Sequence, residues 1–257
     1  MPAHGAATDG ATAANSGKYP ELAGRSAVVA GAARGTGLGI VRALAAQRVN
    51  ILLNSFGNPT ESERIRVGLS REYGVAAACI PADLRDPRGA SILAVLAMNA
   101  FGHIDILVNN VGVQDATPLE TLPPDLLDTA AAANLSAAFH LTWTVIDGMR
   151  EQGWGRIINV APMHGLIELT KAVADEGAGH GITCNAICPR RVSTPPAGGQ
   201  TCGRGIGKDA VVRHALLARY LDKHVVAVEE LGAFTAFLCS NAAASITGAA
   251  FAVNGCP

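Results

Sequence analysis

The pattern with the clearest chemical use is a glycine-rich stretch near the start of the chain. Gly31-Ala-Ala-Arg34-Gly35-Thr36-Gly37-Leu-Gly39 follows a short apolar run and opens an amphipathic one. Glycines at this spacing let the backbone turn tightly and approach a pyrophosphate at the N-terminus of a helix. A turn that serves only helix–sheet packing is the alternative. We predict a dinucleotide site whose contacts from this stretch are Gly31, Arg34, Gly35, Thr36 and Gly37.

Side chains that could move a proton are few in the second half of the chain. Between Gly155 and Gly181 there is no tyrosine, and the only lysine is Lys171. Histidine changes its protonation near neutral pH, so His164 is a candidate, with a solvated loop histidine as the alternative. Tyr220 is a second candidate, although its spacing from Lys223 also fits an ordinary amphipathic helix face.

Seven short apolar or β-branched runs alternate with amphipathic stretches. The predicted strands are Ser26–Ala30, Asn50–Asn54, Ala76–Ile80, Ile104–Asn109, Arg156–Val160, Ile182–Ile187 and Ala249–Val253. The predicted helices are Gly37–Arg48, Thr60–Tyr73, Arg88–Phe101, Leu135–Glu151 and Glu229–Ser240. This alternation predicts an α/β fold, a Rossmann-type doubly wound parallel sheet with helices on both faces.

The crossover between the fifth and sixth strands is predicted to hold a shortened helix. A parallel crossover needs about a dozen residues, and the interval Ala161–Gly181 is long enough to provide it. The helix is predicted over Glu168–Glu176, which spans about 14 Å, against about 20 Å for a six-residue strand. We therefore expect thin cover over this part of the sheet.

The composition indicates one globular domain that acts on small molecules. The 257 residues are 49% hydrophobic and 16% charged, which fits a single domain over residues 21–257 after a disordered tail at residues 1–20. A net charge of -1 without a basic run argues against nucleic acid or an anionic membrane as a partner. No apolar run reaches about 18 residues, so no transmembrane segment is predicted. The six cysteines lack paired CxxC spacing, which predicts no metal site and buried free thiols in the cytoplasm.

Further motifs resemble those of the short-chain dehydrogenase/reductase family. They are Ala82-Asp83-Leu84, Asn109-Asn110-Val111-Gly112, Gly155-Arg-Ile-Ile-Asn-Val160 and Gly181-Ile-Thr-Cys-Asn-Ala-Ile-Cys-Pro189. Within the family the chain is most similar to the D-3-hydroxybutyrate dehydrogenases, through segments such as Asn54-Ser-Phe-Gly57 and Asn134-Leu-Ser-Ala-Ala-Phe-His140. The likeness covers about residues 22–255. It implies hydride transfer between a nicotinamide coenzyme and a small 3-hydroxy or 3-oxo acid.

The resemblance also implies coenzyme contacts beyond the glycine-rich turn. They are Phe56, Asp83, Leu84, Asn110, Gly112 and Thr194. Relatives with a similar Asn-x-Phe-Gly segment use NAD, so NAD is predicted. NADP stays open because Arg34 could meet a 2′-phosphate and no acidic residue follows the second strand.

The implied substrate site is only partly present. Asn134 matches the asparagine that kinks the central helix and holds a relay water, with an ordinary helix cap as the alternative. Gln114 and His164 match residues that contact the substrate carboxylate, and Tyr220 lies in the segment similar to a substrate lid.

The family's catalytic serine, tyrosine and lysine have no counterparts at the expected positions. The serine aligns with Pro162, and Ile167 stands four residues before Lys171 where a tyrosine would be required. The simplest alignment loses a block of about sixteen residues between Leu166 and Leu169. Two hypotheses follow: a dehydrogenase with weakened acid catalysis, or a nucleotide-binding protein without turnover that serves a regulatory role or a partner. The resemblance implies a homo-oligomer, because the family assembles through its C-terminal tail and its crossover helix. The tail Asn254–Pro257 departs from the family and the crossover helix is predicted to be short, so the interface is expected to be altered.

Overall fold

The computed structural model of the protein describes residues 18–112, 119–121, 123–160, 164–189, 192–193 and 226–253. Its main sheet consists of β1 (Ser26–Val29), β2 (Asn50–Asn54), β3 (Ala77–Ile80), β4 (Ile106–Asn109), β5 (Gly155–Val160), β6 (Ile182–Pro189) and β9 (Ala250–Val253). The spatial order is β3-β2-β1-β4-β5-β6-β9, and every pair is parallel. The two-residue strands β7 (Val192–Ser193) and β8 (Val226–Ala227) pair separately.

Seven α-helices connect or follow the strands within the described ranges. They are α1 (Gly35–Ala46), α2 (Pro59–Tyr73), α3 (Pro87–Phe101), α4 (Pro124–Ala131), α5 (Ala137–Gln152), α6 (His164–Gly177) and α7 (Val228–Cys239). Local sequence sets several of their ends. Asn58 accepts a hydrogen bond from the Thr60 amide at the start of α2, and Gly74 ends that helix with φ at 65°.

The sheet is covered on both faces, as the continuous apolar strands require. Residues of α1, α2 and α7 pack on one face, including Ile40, Leu44 and Leu238. Residues of α3, α5 and α6 pack on the other, including Leu93 and Leu141. All four residues of β1 and of β4 are buried, which is typical of central strands in a parallel sheet. The predicted α/β, Rossmann-type, single-domain fold is confirmed.

The crossover helix α6 is longer than predicted. It begins at His164 and has 14 residues, about 21 Å at 1.5 Å per residue, which matches the length of β5. Leu166, Thr170 and Val173 are buried at the i, i+4, i+7 spacing of one helix face. The prediction of a short helix over Glu168–Glu176 with thin cover is therefore wrong, because this inner face already starts at Leu166.

A buried carboxylate joins the amino-terminal ends of the central strands. Asp105 is fully buried just before β4, and its Oδ2 accepts a hydrogen bond of 2.7 Å from the Ser26 amide. Its Oδ1 accepts one of 2.8 Å from Arg25 Nη1, and His103 Nε2 lies 3.0 Å from Oδ2. Removal of the carboxylate would leave these donors without their acceptor.

Replacing Asp105 with alanine should lower the free energy of unfolding by about 3 kcal/mol, because it breaks a buried, hydrogen-bonded ion pair. Urea denaturation of the parent and variant proteins measures this loss. Asp147→Ala is the matched control, since Asp147 pairs with Arg150 at the surface and its side chain is 81% exposed. The control should change the free energy by less than about 0.5 kcal/mol. Equal losses in the two variants would contradict a structural role for Asp105.

The described cysteines are free thiols. Cys184 and Cys239 are fully buried, and burial raises the pKa of each to about 12. Cys79 and Cys188 are partly buried, while Cys202 and Cys256 lie outside the described residues. Within the described ranges, every helix is too short or too polar to cross a bilayer.

Candidate functional site

Within the described part of the chain, the predicted nucleotide-binding residues lie along one edge of the sheet. Strand order reverses at β1, whose two neighbours are β2 and β4. In open parallel sheets, ligands bind beyond the carboxyl ends of the strands at such a reversal. The glycine-rich turn follows β1, Asn110 follows β4, and Asp83 follows β3, so the three segments share this edge.

The glycine-rich turn packs so closely that side chains would not fit. Gly31 and Gly35 have φ values of 65° and 52°, a region that favours glycine. A Cβ atom on Gly31 would lie 2.6 Å from the Asn110 carbonyl oxygen, and one on Gly37 would overlap the Gly31 carbonyl. The turn therefore keeps bare backbone at the N-terminus of α1, which fits a bound pyrophosphate.

Asn110 fastens this turn to the end of β4. Its Nδ2 donates a 3.1 Å hydrogen bond to the Gly31 carbonyl oxygen. Two residues later, a Cβ atom on Gly112 would lie 3.3 Å from Asn134 Oδ1. The structure thus brings together Gly31, Gly37, Asn110, Gly112 and Asn134.

Asn134 lies inside a helix and not at its start. It is 3% exposed and belongs to the π-helical turn Ala132–Ser136 between α4 and α5. A π-helical turn interrupts regular helical hydrogen bonding and is frequent at functional sites. The interpretation of Asn134 as an ordinary helix cap is wrong.

The ends of β2 and β3 are tied together by Asn54. Its Nδ2 donates to the carbonyl oxygens of Ile80 (3.2 Å) and Ala82 (3.0 Å). Asp83 follows, and its carboxylate accepts hydrogen bonds from the backbone and side chain of Arg85, which lower its pKa. Leu84 is buried beside it. An ionised carboxylate is thus held at the edge where the adenine contact is predicted.

The remaining predicted coenzyme contacts differ in exposure. Arg34 is exposed immediately before α1, and Thr36 is half-buried in its first turn. Phe56 is 69% exposed just after β2. Thr194, Gln114 and Tyr220 lie outside the described residues.

The described lysine and tyrosine side chains do not meet at this edge. Lys171 is on the outer side of α6, where its Nζ lies 2.8 Å from Glu168 Oε1 and its side chain is 53% exposed. Tyr19 precedes β1 and Tyr73 ends α2, so both lie toward the amino-terminal edge of the sheet. His164 is the first residue of α6, so the interpretation of His164 as a loop residue is wrong.

Known proteins resemble the whole described fold. A family model described as enoyl-(acyl carrier protein) reductase matches residues 31–255. The D-beta-hydroxybutyrate dehydrogenase of Cupriavidus necator is 36% identical over 254 aligned residues, covering 91% of this chain and 98% of that protein. A solved structure, a double mutant of a Serratia marcescens short-chain dehydrogenase/reductase, has a TM-score of 0.80 at 28% identity and covers 92% of this chain and 98% of that chain. This chain belongs to the short-chain dehydrogenase/reductase family.

Dehydrogenases of the short-chain dehydrogenase/reductase family bind NAD(P), so the close-packed turn has a ligand class that fits it. A second similar protein, the D-beta-hydroxybutyrate dehydrogenase of Rhizobium meliloti, is 35% identical and covers 90% of this chain and 97% of that protein. The alignment to the Cupriavidus enzyme counts 254 residues, whereas 91% of this chain is about 234 residues. About 20 aligned positions therefore have no residue of this chain opposite them.

A buried series of side-chain hydrogen bonds lies beneath the site, and the sequence analysis did not predict it. Asn109 Nδ2 donates to Asn159 Oδ1 at 2.8 Å, and Asn159 Nδ2 donates to Thr170 Oγ1 at 2.9 Å. Thr170 in turn donates to the Leu166 carbonyl oxygen at 2.7 Å. The signal was available, because two apolar strands each place an asparagine at or near the carboxyl end. These hydrogen bonds fix α6 against β4 and β5, next to Asn110 at the end of β4.

Proposed function

We propose that this protein binds NAD and catalyses hydride transfer between 3-hydroxybutyrate and acetoacetate slowly, because its family's proton-transfer groups are missing. The observation that carries the proposal is a contrast within one site. The close-packed turn around Gly37 is intact, whereas Lys171 points to solvent and pairs with Glu168.

The coenzyme would be held by the residues grouped along the carboxyl edge. Gly31, Gly35 and Gly37 leave room for the pyrophosphate, and the amide groups at the start of α1 face it. The carboxylate of Asp83 would bind the adenine, and Asn110 holds the turn in place. The bound nicotinamide supplies the chemistry, since its ring accepts or donates a hydride. The Asn-x-Phe-Gly segment favours NAD. NADP is the second ligand to measure, because the exposed side chain of Arg34 could bind its 2′-phosphate.

Oxidation of 3-hydroxybutyrate requires two transfers. The hydride leaves carbon 3 for the coenzyme, and the hydroxyl proton leaves for a base, giving acetoacetate. General acid–base catalysis typically contributes about 10²–10⁴-fold, so its loss would leave a slow reaction driven by proximity. About 20 unmatched positions in the alignment support the loss of a block that would have carried the missing tyrosine and lysine.

Four residues would form what remains of the substrate site. Asn134 lies buried beside Gly112 and would order a water molecule near the nicotinamide. Gln114 and His164 would contact the substrate carboxylate, and His164 would also accept or return the proton. Tyr220 would act from the lid segment.

The alternative function is nucleotide binding without turnover, in a regulatory or partner-associated role. The position of Lys171 favours it, because no described lysine and tyrosine share one helix face near Asn110. Coenzyme binding is expected both for slow hydride transfer and for nucleotide binding without turnover, so only a measurement of turnover distinguishes the two functions.

The test combines binding and turnover on the purified chain, after its mass is confirmed. Calorimetric titration with NAD and with NADP measures binding, and the absorbance of the reduced nicotinamide follows turnover with 3-hydroxybutyrate. Slow, coenzyme-dependent turnover supports the proposal. NAD binding with no turnover supports the alternative, and turnover at a rate typical of enzymes, about 10 s⁻¹, contradicts the claim of impaired acid catalysis.

If turnover is present, His164→Ala or Tyr220→Phe should reduce kcat by about tenfold or more, since each change removes one candidate proton carrier. Steady-state kinetics and NAD titration of each variant separate a loss of chemistry from a loss of binding. His180→Ala and Tyr73→Phe are the matched controls, because both residues lie toward the amino-terminal edge of the sheet. Unchanged kcat in both test variants would exclude both proposed carriers.

A further inference from the structure

A cavity lies at the opposite edge of the sheet from the proposed coenzyme site. It has a volume of about 350 Å³ and is bounded by the starts of β5 and β6 and by the segment that follows α7. The residues that line it include Trp154, Arg156, Thr183, Asn241 and Thr247. None of the residues assigned above to coenzyme or substrate lines it.

Arg156 is a buried cation without a carboxylate partner. The residue is 3% exposed, and its Nη1 donates to the carbonyl oxygens of Gly155 (2.8 Å) and Gly181 (3.0 Å). Its Nε is buried and has no hydrogen-bond partner. None of the ion pairs in the described part of the chain includes Arg156. A buried charge is costly unless an opposite charge and hydrogen bonds compensate it.

Thr183 provides a second unpartnered polar group beside Arg156. The two residues are directly paired between β5 and β6, so their side chains project from the same face of the sheet on strands about 4.8 Å apart. Thr183 is 4% exposed, and its Oγ1 has no hydrogen-bond partner. A cation and a hydroxyl donor are therefore placed together at the wall of one cavity.

The charges around the cavity favour an anion. The guanidinium groups of Arg25 and Arg156 lie 4.0 and 4.3 Å from the ring centroid of Trp154. The carboxylate of Asp105 is already bound by Arg25, the Ser26 amide and His103. The Glu21 carboxylate accepts a 2.8 Å hydrogen bond from the amide of Asn241, one of the lining residues.

We propose that this cavity binds a small oxyanion, a carboxylate or phosphate group carried by a metabolite. The guanidinium of Arg156 would supply the charge, and the Thr183 hydroxyl would donate a hydrogen bond to an anion oxygen. Asn241 and Thr247 would complete the polar wall. Guanidinium groups suit such anions because their planar donors match two oxygen atoms at once. The site is separate from hydride transfer and does not depend on the function proposed above.

Inorganic phosphate and acetate serve as probes for the two anion types. Each is titrated calorimetrically into the full chain at constant ionic strength set with chloride, in the presence of saturating NAD if NAD binds. Arg156→Met keeps a long side chain and removes the charge, and Thr183→Val removes the hydroxyl at nearly constant shape. We expect at least a tenfold rise in the dissociation constant for the preferred anion in Arg156→Met and a smaller rise in Thr183→Val.

The controls separate this site from general charge effects. Arg64→Met removes a surface cation whose side chain is 77% exposed and should leave anion binding unchanged. Circular dichroism checks that each variant is folded, and Thr183→Val provides the test if Arg156→Met does not fold. No anion binding by the parent chain, or equal binding by the parent and both cavity variants, would overturn the proposal.

Discussion

Replacing Gly37 with alanine should raise the dissociation constant for NAD by about 100-fold or more, a loss of about 2.7 kcal/mol. The added Cβ atom would overlap the Gly31 carbonyl oxygen and lie 2.7 Å from Asn110 Nδ2. Gly31 belongs to the turn and Asn110 fastens the turn to β4, so the turn must open to admit the methyl group. Calorimetric titration with NAD measures the effect, and circular dichroism reports whether the fold persists.

The matched control for this change is Gly68→Ala. Gly68 lies within α2, and a Cβ atom there would meet nothing within 4 Å. The same substitution should therefore leave NAD binding unchanged and stabilise the helix by roughly 1 kcal/mol. If the folded Gly37→Ala protein binds NAD as tightly as the parent, the glycine-rich turn does not hold the pyrophosphate.

The fold was predictable because its strongest signals are local. All seven strands of the main sheet were located to within two residues at each end, since each is a short apolar run between polar segments. The π-helical turn Ala132–Ser136 was not predicted as such, because its residues fit helical periodicity and the extra residue in the turn leaves no sequence signature. The pair β7 and β8 was missed for a different reason: two residues are too few to show a period.

Within the site, only the close packing around the glycine-rich turn was predictable from the sequence. The close approach of Gly31, Gly37 and Asn110 follows from residue types that permit it, and the structure shows it. The orientation of Lys171 could not be read from its neighbours alone, because it depends on which side of α6 packs on the sheet. Burial of Leu166 and Thr170 decides that orientation and turns Lys171 to solvent.

The proposed coenzyme site and the proposed loss of proton transfer lie in different segments of the chain. The proposed coenzyme contacts are backbone and small residues that follow β1 and β4, and the structure describes both segments. Proton transfer in the family uses side chains from the crossover between β5 and β6, where the sequence lacks the serine and the Tyr-x-x-x-Lys turn. The proposed loss of a block there leaves α6 in place, since its inner face packs through Thr170 on Asn159.

Restoring the block should restore catalysis. An insertion of about sixteen residues between Leu166 and Leu169 that carries a Tyr-x-x-x-Lys turn, combined with Pro162→Ser, should raise kcat for 3-hydroxybutyrate by about 10²–10⁴-fold. Tyrosine and lysine one helical turn apart share a face, so the ammonium group lowers the pKa of the phenol and lets it exchange a proton with the substrate oxygen. Steady-state kinetics measure the gain, and NAD titration confirms that the coenzyme site is retained.

The control is the same insertion with phenylalanine in place of the tyrosine. It has the same length and helix content and lacks only the phenolic hydroxyl, so it should bind NAD equally well and stay near the parent rate. The comparison isolates acid–base chemistry from any effect of the longer crossover on folding or assembly. Equal rates with tyrosine and phenylalanine would show that the missing hydroxyl does not limit this protein, and that the proton reaches the substrate oxygen by another route.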